Sequence, residues 1–265
     1  MVLLVLSVLL LCVAMAFALR GAAPNGSPII FTGFDGIGVL LGFTAFVTAA
    51  AAHGTSFGLW LLAALVLHEA GHVLAYRMLG HAPTRFRLVP LLSRLPISDR
   101  PLKSEGEAFF VALMGAGFSL APMALAFVLS SMLAATEPAL ATQLQTFAVT
   151  IGALNFVNLL PFPLLDGGRC ARIAARNFWP ALAPAMTAFM AAAFLAAAWR
   201  TQSPVLLMLA GLGLYGLLPR RKTERPEGLA PMGPSGALTA LAAYVFTLAA
   251  HFSAGWLLLE YYLQK

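Results

Sequence analysis

The chain has 265 residues, of which 60% are hydrophobic and only 10% charged. Soluble domains carry about a quarter charged residues, so this composition excludes an ordinary soluble domain and indicates an integral membrane protein with room for roughly seven or eight spans. The formal net charge of +6 points to loops facing anionic lipid rather than to nucleic acid, since no patch interleaves basic and aromatic residues in a way suited to base stacking.

Val2 to Leu19 is apolar and ends at Arg20. It lacks the basic leading region of a signal peptide, and its charge lies on the far side, so it reads as a first span with its N-terminus outside. Residues 21–32, with Pro24, Asn25, Gly26 and Pro28, read as a loop. Gly33 to Ala52 reads as a second span whose glycines suit close helix packing. Asp35, near its start, fits a loop or helix-cap role better than a polar contact in a site.

The third span, Phe57 to Leu79, carries His68-Glu69-Ala70-Gly71-His72. On a helix His68 and His72 are one turn apart and share a face, so both imidazoles reach one metal ion. Glu69 projects from nearly the same face and is placed to act as general base on a metal-bound water. From Phe57 to Ala75 these three are the ionisable residues. Ionisable groups at membrane depth are costly and usually functional, which strengthens the motif. The competing reading is a satisfied polar cluster between helices.

Arg77 opens a polar stretch that continues to Glu107. Within it Thr84 to Val89 alternates polar and apolar residues, a strand signature that Pro90 ends. Leu91 to Ile97 reads as a second extended piece able to pair back as a hairpin; the alternative is a solvated basic loop. The fourth span is Ala108 to Leu133, with the small-residue run Gly115-Ala116-Gly117 suited to helix packing. Thr136 to Gln143 reads as a short loop, and Leu144 to Leu160 as the fifth span. Two prolines, Pro161 and Pro163, break the helix before Asp166-Gly167-Gly168. Broken backbone at membrane depth survives only where protein buries it or a wet cavity adjoins it, so a carboxylate and the amides of Asn155 and Asn158 fall in a plausible polar pocket. A short basic segment with Arg169, Arg172 and Arg176 follows, then spans from Pro180 to Trp199, Pro204 to Leu218 and Gly236 to Leu259. Cys12 and Cys170 form no CxxC pair and indicate no disulfide framework; Cys170 reads as a small packing residue, although it lies near the Asp166 segment. His251, inside the last span, fits a hydrogen-bonded packing role better than a ligand role.

With the N-terminus outside and eight spans, all but Arg200 and Lys265 of the sixteen Lys and Arg residues fall on the inner side, a strong positive-inside bias. His72 then lies roughly 8 Å below Arg77, within the bilayer yet near cytosolic water. Catalytic zinc usually has three protein ligands and an open position. Asp166, an acidic residue at matching depth on a broken helix, is the best candidate for the third ligand.

Two motifs together resemble the site-2 protease family of intramembrane zinc metalloproteases: His68-Glu69-Ala70-Gly71-His72 within a span, and Asn158-x-x-Pro161-x-Pro163-x-x-Asp166-Gly167. The likeness covers about Leu61 to Arg176. It implies one zinc ion per chain held by His68, His72 and Asp166, Glu69 as base, and Asn158 holding substrate or the oxyanion. Many members carry Gly-Pro and then an asparagine in the span between the motifs; here the run is Gly117-Phe118-Ser119-Leu120-Ala121, without either. That departure bears on the packing of the span and not on the ligands.

The expected architecture is an all-α polytopic membrane protein, about eight transmembrane helices around a site-2-protease-like core, with a short extended segment after the metal-binding helix. Residues 1–56 supply N-terminal spans, 57–178 the core and 179–265 C-terminal spans. The expected activity is hydrolysis of peptide bonds in or near transmembrane segments of membrane-anchored proteins. The expected location is a bacterial inner or cell membrane, with the active site near the cytoplasmic face. The lipid bilayer and a membrane-anchored substrate are the partners; oligomeric state and substrate identity are not legible. A catalytically silent scaffold or regulator of the same fold is one alternative, and a metal transporter another, though no repeated halves with paired broken helices are found. Because a membrane substrate must be unwound before attack, the Thr84 to Val89 edge, with Phe86 and Leu88, is expected to receive it as an added strand. Replacing Phe86 or Leu88 with proline should lower cleavage while leaving bound zinc unchanged; normal cleavage by both variants, measured beside metal content, would remove the strand from the mechanism.

Overall fold

In the computed structural model, residues 2–22, 28–32, 36–87, 97–176, 178–218 and 229–263 are described. The chain is mostly helical: α1 Val2–Leu19, α2 Gly36–His53, α3 Thr55–Met78, α4 Glu105–Leu133, α5 Pro138–Asn158, α6 Asp166–Arg176, α7 Leu182–Thr201, α8 Pro204–Leu217 and α9 Pro234–Leu263. Among the described residues, α3, α4, α5, α7 and residues 234–256 of α9 are long and apolar enough to cross a membrane by length and composition. α8 is apolar but has only 14 residues. The protein is thus a membrane-embedded, mainly α-helical chain.

Local chemistry accounts for where the central helices start. Ser104 caps α4 by accepting from the Glu107 amide at 3.1 Å, while Glu107 accepts from the Lys103 amide at 2.6 Å; the reciprocal pattern satisfies amides that a helix start leaves free. α5 begins at Pro138, earlier than expected. The stretch Thr136 to Gln143 is therefore largely helix rather than loop, because proline is pre-organised for a first turn. Gln143 is used there as a tie: it accepts from the Trp60 indole at 3.0 Å and donates to Ser56 at 3.1 Å, joining α5 to α3.

Two short strands form a parallel pair, β1 Ile29–Thr32 with β2 Thr84–Arg87, in the register Ile29↔Thr84 to Thr32↔Arg87. β2 falls where alternation predicts it. β1 lies in a stretch expected to be loop. Its run of Ile-Ile-Phe-Thr favours extended backbone, but Pro24, Asn25, Gly26 and Pro28 just before it dominate the local signal. The parallel pairing is reached through the α2–α3 connection, as parallel strands require. Residues 88–96, which hold Leu88 and most of the expected hairpin partner, lie outside the described residues, as does Asp35. Ile97 nonetheless accepts from the Arg85 amide at 2.8 Å. Near this sheet Asp99 and Arg85 are paired at 2.6–2.8 Å, and Arg85 holds the Asp99 carboxyl below its usual range. Burial, and then Arg100, push His81 below the ordinary histidine value, so a neutral imidazole meets Ser98 Oγ at 2.9 Å.

The helices pack through small residues. A Cβ on Gly71 of α3 would collide with the Met114 carbonyl of α4. One on Gly115 would lie 2.6 Å from His72 Nε2 and 2.8 Å from His68 Cε1. Further along, α5 and α9 cross with Gly152 against Ala254. Tyr244 of α9 is fully buried with Phe109, Leu159 and Cys170, so the C-terminal helix is part of the same core as α4 and α6. Cys170 is accordingly a packing residue, as expected.

The Gly71→Val variant should force α3 and α4 apart at a cost of about 1–3 kcal/mol, the usual range for overpacking. Thermal unfolding in detergent should show a lowered midpoint, and metal affinity should fall with it because both histidines sit on the same contact.

Candidate metal centre

The second break in the bundle sets the depth of the site. α5 ends at Asn158, and the chain turns through Leu159, Leu160 and Phe162, all fully buried, before α6 begins at Asp166. Carbonyls released by the break find donors on other helices: Tyr244 donates to Leu159 O at 2.7 Å and Thr187 to Pro161 O at 2.5 Å. Buried carbonyls need such partners, and the side chains of α9 and α7 hold the turn in place. Gly167 is required there, since a Cβ would collide with the Leu159 carbonyl.

The turn delivers Asp166 to the two histidines of α3. Asp166 Oδ2 lies 3.0 Å from His68 Nε2 and 3.1 Å from His72 Nε2, and the two Nε2 atoms are 3.1 Å apart. Among the described residues this is the group of His, Cys, Asp and Glu side chains arranged to hold a metal ion. Both histidines are buried.

The partners of the opposite ring nitrogens fix the tautomers. His72 Nδ1 lies 2.8 Å from the Val111 carbonyl, which can only accept, so Nδ1 carries the proton. His68 Nδ1 lies 2.7 Å from Asn155 Oδ1, and Asn155 Nδ2 donates to Ile151 O at 3.0 Å; the amide orientation is thereby set and His68 Nδ1 is again the donor. In the neutral form of each ring, Nε2 then offers a lone pair toward the other and toward a carboxylate oxygen. A proton on one ring turns the cluster into an ion pair with Asp166; with both rings neutral, three acceptors within 3.1 Å repel one another unless a cation lies among them. The spacing fits one: ligand atoms about 2.0–2.1 Å from a tetrahedral ion are about 3.3 Å apart. Two imidazoles and a carboxylate suit a first-row transition ion rather than calcium or magnesium.

Glu69 is 1% exposed and belongs to an ion pair. Arg87, the last residue of β2, donates from Nε to Oε1 at 2.7 Å, from Nη2 to Oε2 at 3.1 Å and from its backbone amide to Oε1 at 3.2 Å. The strand and the metal-binding helix are thus joined at the motif itself. Phe86 lies on the β1 side of β2, its ring 5.7 Å from Phe31, and its carbonyl accepts from Thr32 Oγ1 at 3.1 Å.

The structure brings together His68, His72, Asp166 and, beside them, Glu69. Asn158 is half-buried at the end of α5, with no side-chain hydrogen bond among the described residues; it is Asn155, one turn earlier, that touches the site. Its signal was available, since an asparagine at that depth of an apolar helix needs a partner. The Val111 carbonyl and Arg87 carried no such signal. His251 is not a ligand: its Nε2 donates to Ala116 O at 3.1 Å, and its Nδ1 has no partner among the described residues. Comparison with family models, curated proteins and solved structures finds no match for this chain.

Removing the amide that orients His68 should loosen the site without deleting a ligand. Asn155→Ala should weaken metal affinity about 10–100-fold, read by competition with a chelating dye, while the helical circular-dichroism signal stays unchanged.

Proposed function

We propose that this protein is an intramembrane zinc metalloprotease of the site-2 type, which hydrolyses peptide bonds in or near the transmembrane segments of membrane-anchored proteins. The observation that supports this reading most is the trio of possible metal donors, His68 Nε2, His72 Nε2 and Asp166 Oδ2, 3.0–3.1 Å apart, with a carboxylate next in sequence to the first of them. Two histidines and an acidic residue are a hydrolytic zinc donor set. The same set also serves iron in oxygenases, and the adjacent Glu69 favours hydrolysis.

When bound, zinc supplies Lewis acidity and brings a water toward ionisation at neutral pH. His68, His72 and Asp166 hold it, with Asn155 and the Val111 carbonyl keeping both rings in the metal-binding tautomer. Glu69 takes the proton of the attacking water and passes it to the leaving amide nitrogen. His68, Glu69 and His72 are buried among the helices, which limits their contact with bulk water. We place the site near the cytoplasmic face of an eight-span protein that includes α1, α2 and α8, on the distribution of Lys and Arg among the loops.

A catalytically silent scaffold of the same fold is the second reading, and one observation favours it: Glu69 is engaged by Arg87. Two measurements decide. The detergent-purified protein should carry about one zinc per chain, lost or weakened in His72→Ala and in Asp166→Ala. Glu69→Gln should keep the metal and lose cleavage of a labelled membrane-anchored peptide. A folded wild type without metal moves the reading to the scaffold, and cleavage by Glu69→Gln removes Glu69 as base.

A further inference from the structure

The ion pair on Glu69 is a contact that hydrolysis does not require. The side chains of Glu69 and Arg87 are 1% and 17% exposed, so the guanidinium is the member that can be approached from outside. A carboxylate offers about four acceptor positions, and Arg87 fills three of them through Nε, Nη2 and its own amide. A base held in this way has to leave its partner before it can serve an attacking water. Leaving it would strand a guanidinium at a partly buried place, which is costly unless another anion takes over.

The strand adds a second constraint. Backbone groups of successive residues point to opposite edges of a strand. Phe86 directs its carbonyl to β1, where Thr32 meets it. Arg85 and Arg87 direct their amides to the other edge, the first to Ile97 O and the second to Glu69. A peptide adding along that edge beyond Ile97, which already takes the Arg85 amide, needs the Arg87 amide for its own carbonyl, and so must displace Glu69. Other carboxylates described in the fold are engaged elsewhere: Asp99 with Arg85, Glu105 with Arg176, Glu107 at the start of α4 and Asp166 with the histidines. Glu137 sits at the opposite end of α4. None of these is hydrogen-bonded to Arg87.

Resting on the protease reading of this same site, we propose that Arg87 is a specificity-determining residue, which holds Glu69 until a carboxylate of the substrate takes its guanidinium. The protein then selects peptides with an acidic residue beside the scissile bond. Peptide addition and release of the base are one event, an exchange of one ion pair for another.

The test uses the full-length, zinc-loaded protein in discs of phosphatidylcholine. The probes are a pool of short fluorescein-labelled apolar peptides carrying one Glu, and the same pool with Gln in its place. Binding is read by anisotropy. Glu69→Gln removes the internal competitor, so it should bind the Glu pool about tenfold more tightly than the Gln pool, and more tightly than wild type does. Glu69→Gln/Arg87→Gln should bind both pools alike. In cleavage, wild type should favour the Glu pool and Arg87→Gln should lose that preference. Equal or undetectable binding of the two pools by Glu69→Gln, or a preference that persists without Arg87, overturns the proposal. So does a preference that disappears when phosphatidylglycerol is added to the discs, because the anion that meets Arg87 is then a lipid headgroup. If the binding preference holds and neither pool is cleaved, the protease reading falls while the carboxylate site stands. If wild type cleaves both pools alike, the reading stands and the role of Arg87 falls.

Discussion

Two imidazole nitrogens and a carboxylate oxygen are held within 3.1 Å of one another in a largely buried place. With both rings neutral this is a repulsive arrangement, and contacts from the surrounding helices impose it. Val111 O and the oriented amide of Asn155 decide which nitrogen of each ring is bare. Gly115 leaves the space in which the two rings stand, and Gly71 lets the helix that carries them lie against α4. The broken segment after α5 brings the carboxylate, and Tyr244 and Thr187 hold the break open by taking its carbonyls. Remove any of these and the cluster relaxes; supply a cation and it becomes the tightest point of the bundle.

The membrane helices and the three candidate ligands are legible in sequence because each has a strong local signal. Apolar length marks the spans. The i, i+4 histidines mark one face of a helix, and the paired prolines before Asp166 mark a break at the matching depth. β2 was legible from its alternation. What was not legible depends on contacts distant in the chain. β1 is a four-residue strand whose extended form is completed by pairing with residues more than fifty positions away. Asn155 and Asn158 both read as pocket amides; which of them meets α3 depends on the phase of α5, and periodicity alone does not fix that phase in a helix that is apolar nearly all round. Arg87 reads in sequence as one more cation of a basic loop. Its meeting with Glu69 follows from the strand running back over the end of α3.

The ion pair also changes what the metal motif means. A histidine–glutamate–histidine helix taken alone describes a competent base beside a metal. In the folded chain that base is already spoken for, by a residue on the element expected to receive a peptide. The strand and the helix are therefore joined at the motif itself, through a residue that the alternation around it does not single out.

The place of α9 in the core has a consequence for how the protein is made. His68 and His72 leave the ribosome well before Asp166, by roughly 5–20 s at ordinary rates of synthesis, and Tyr244, which secures the turn before Asp166, emerges later still. Until α9 is in the bilayer, the loop that presents the carboxylate lacks the hydroxyl that satisfies Leu159. The histidine pair thus spends its first seconds as an incomplete chelate. Any metal capture is thereby coupled to the completion of translation, and a chain halted before α9 would lack the contact that secures the Asp166 turn.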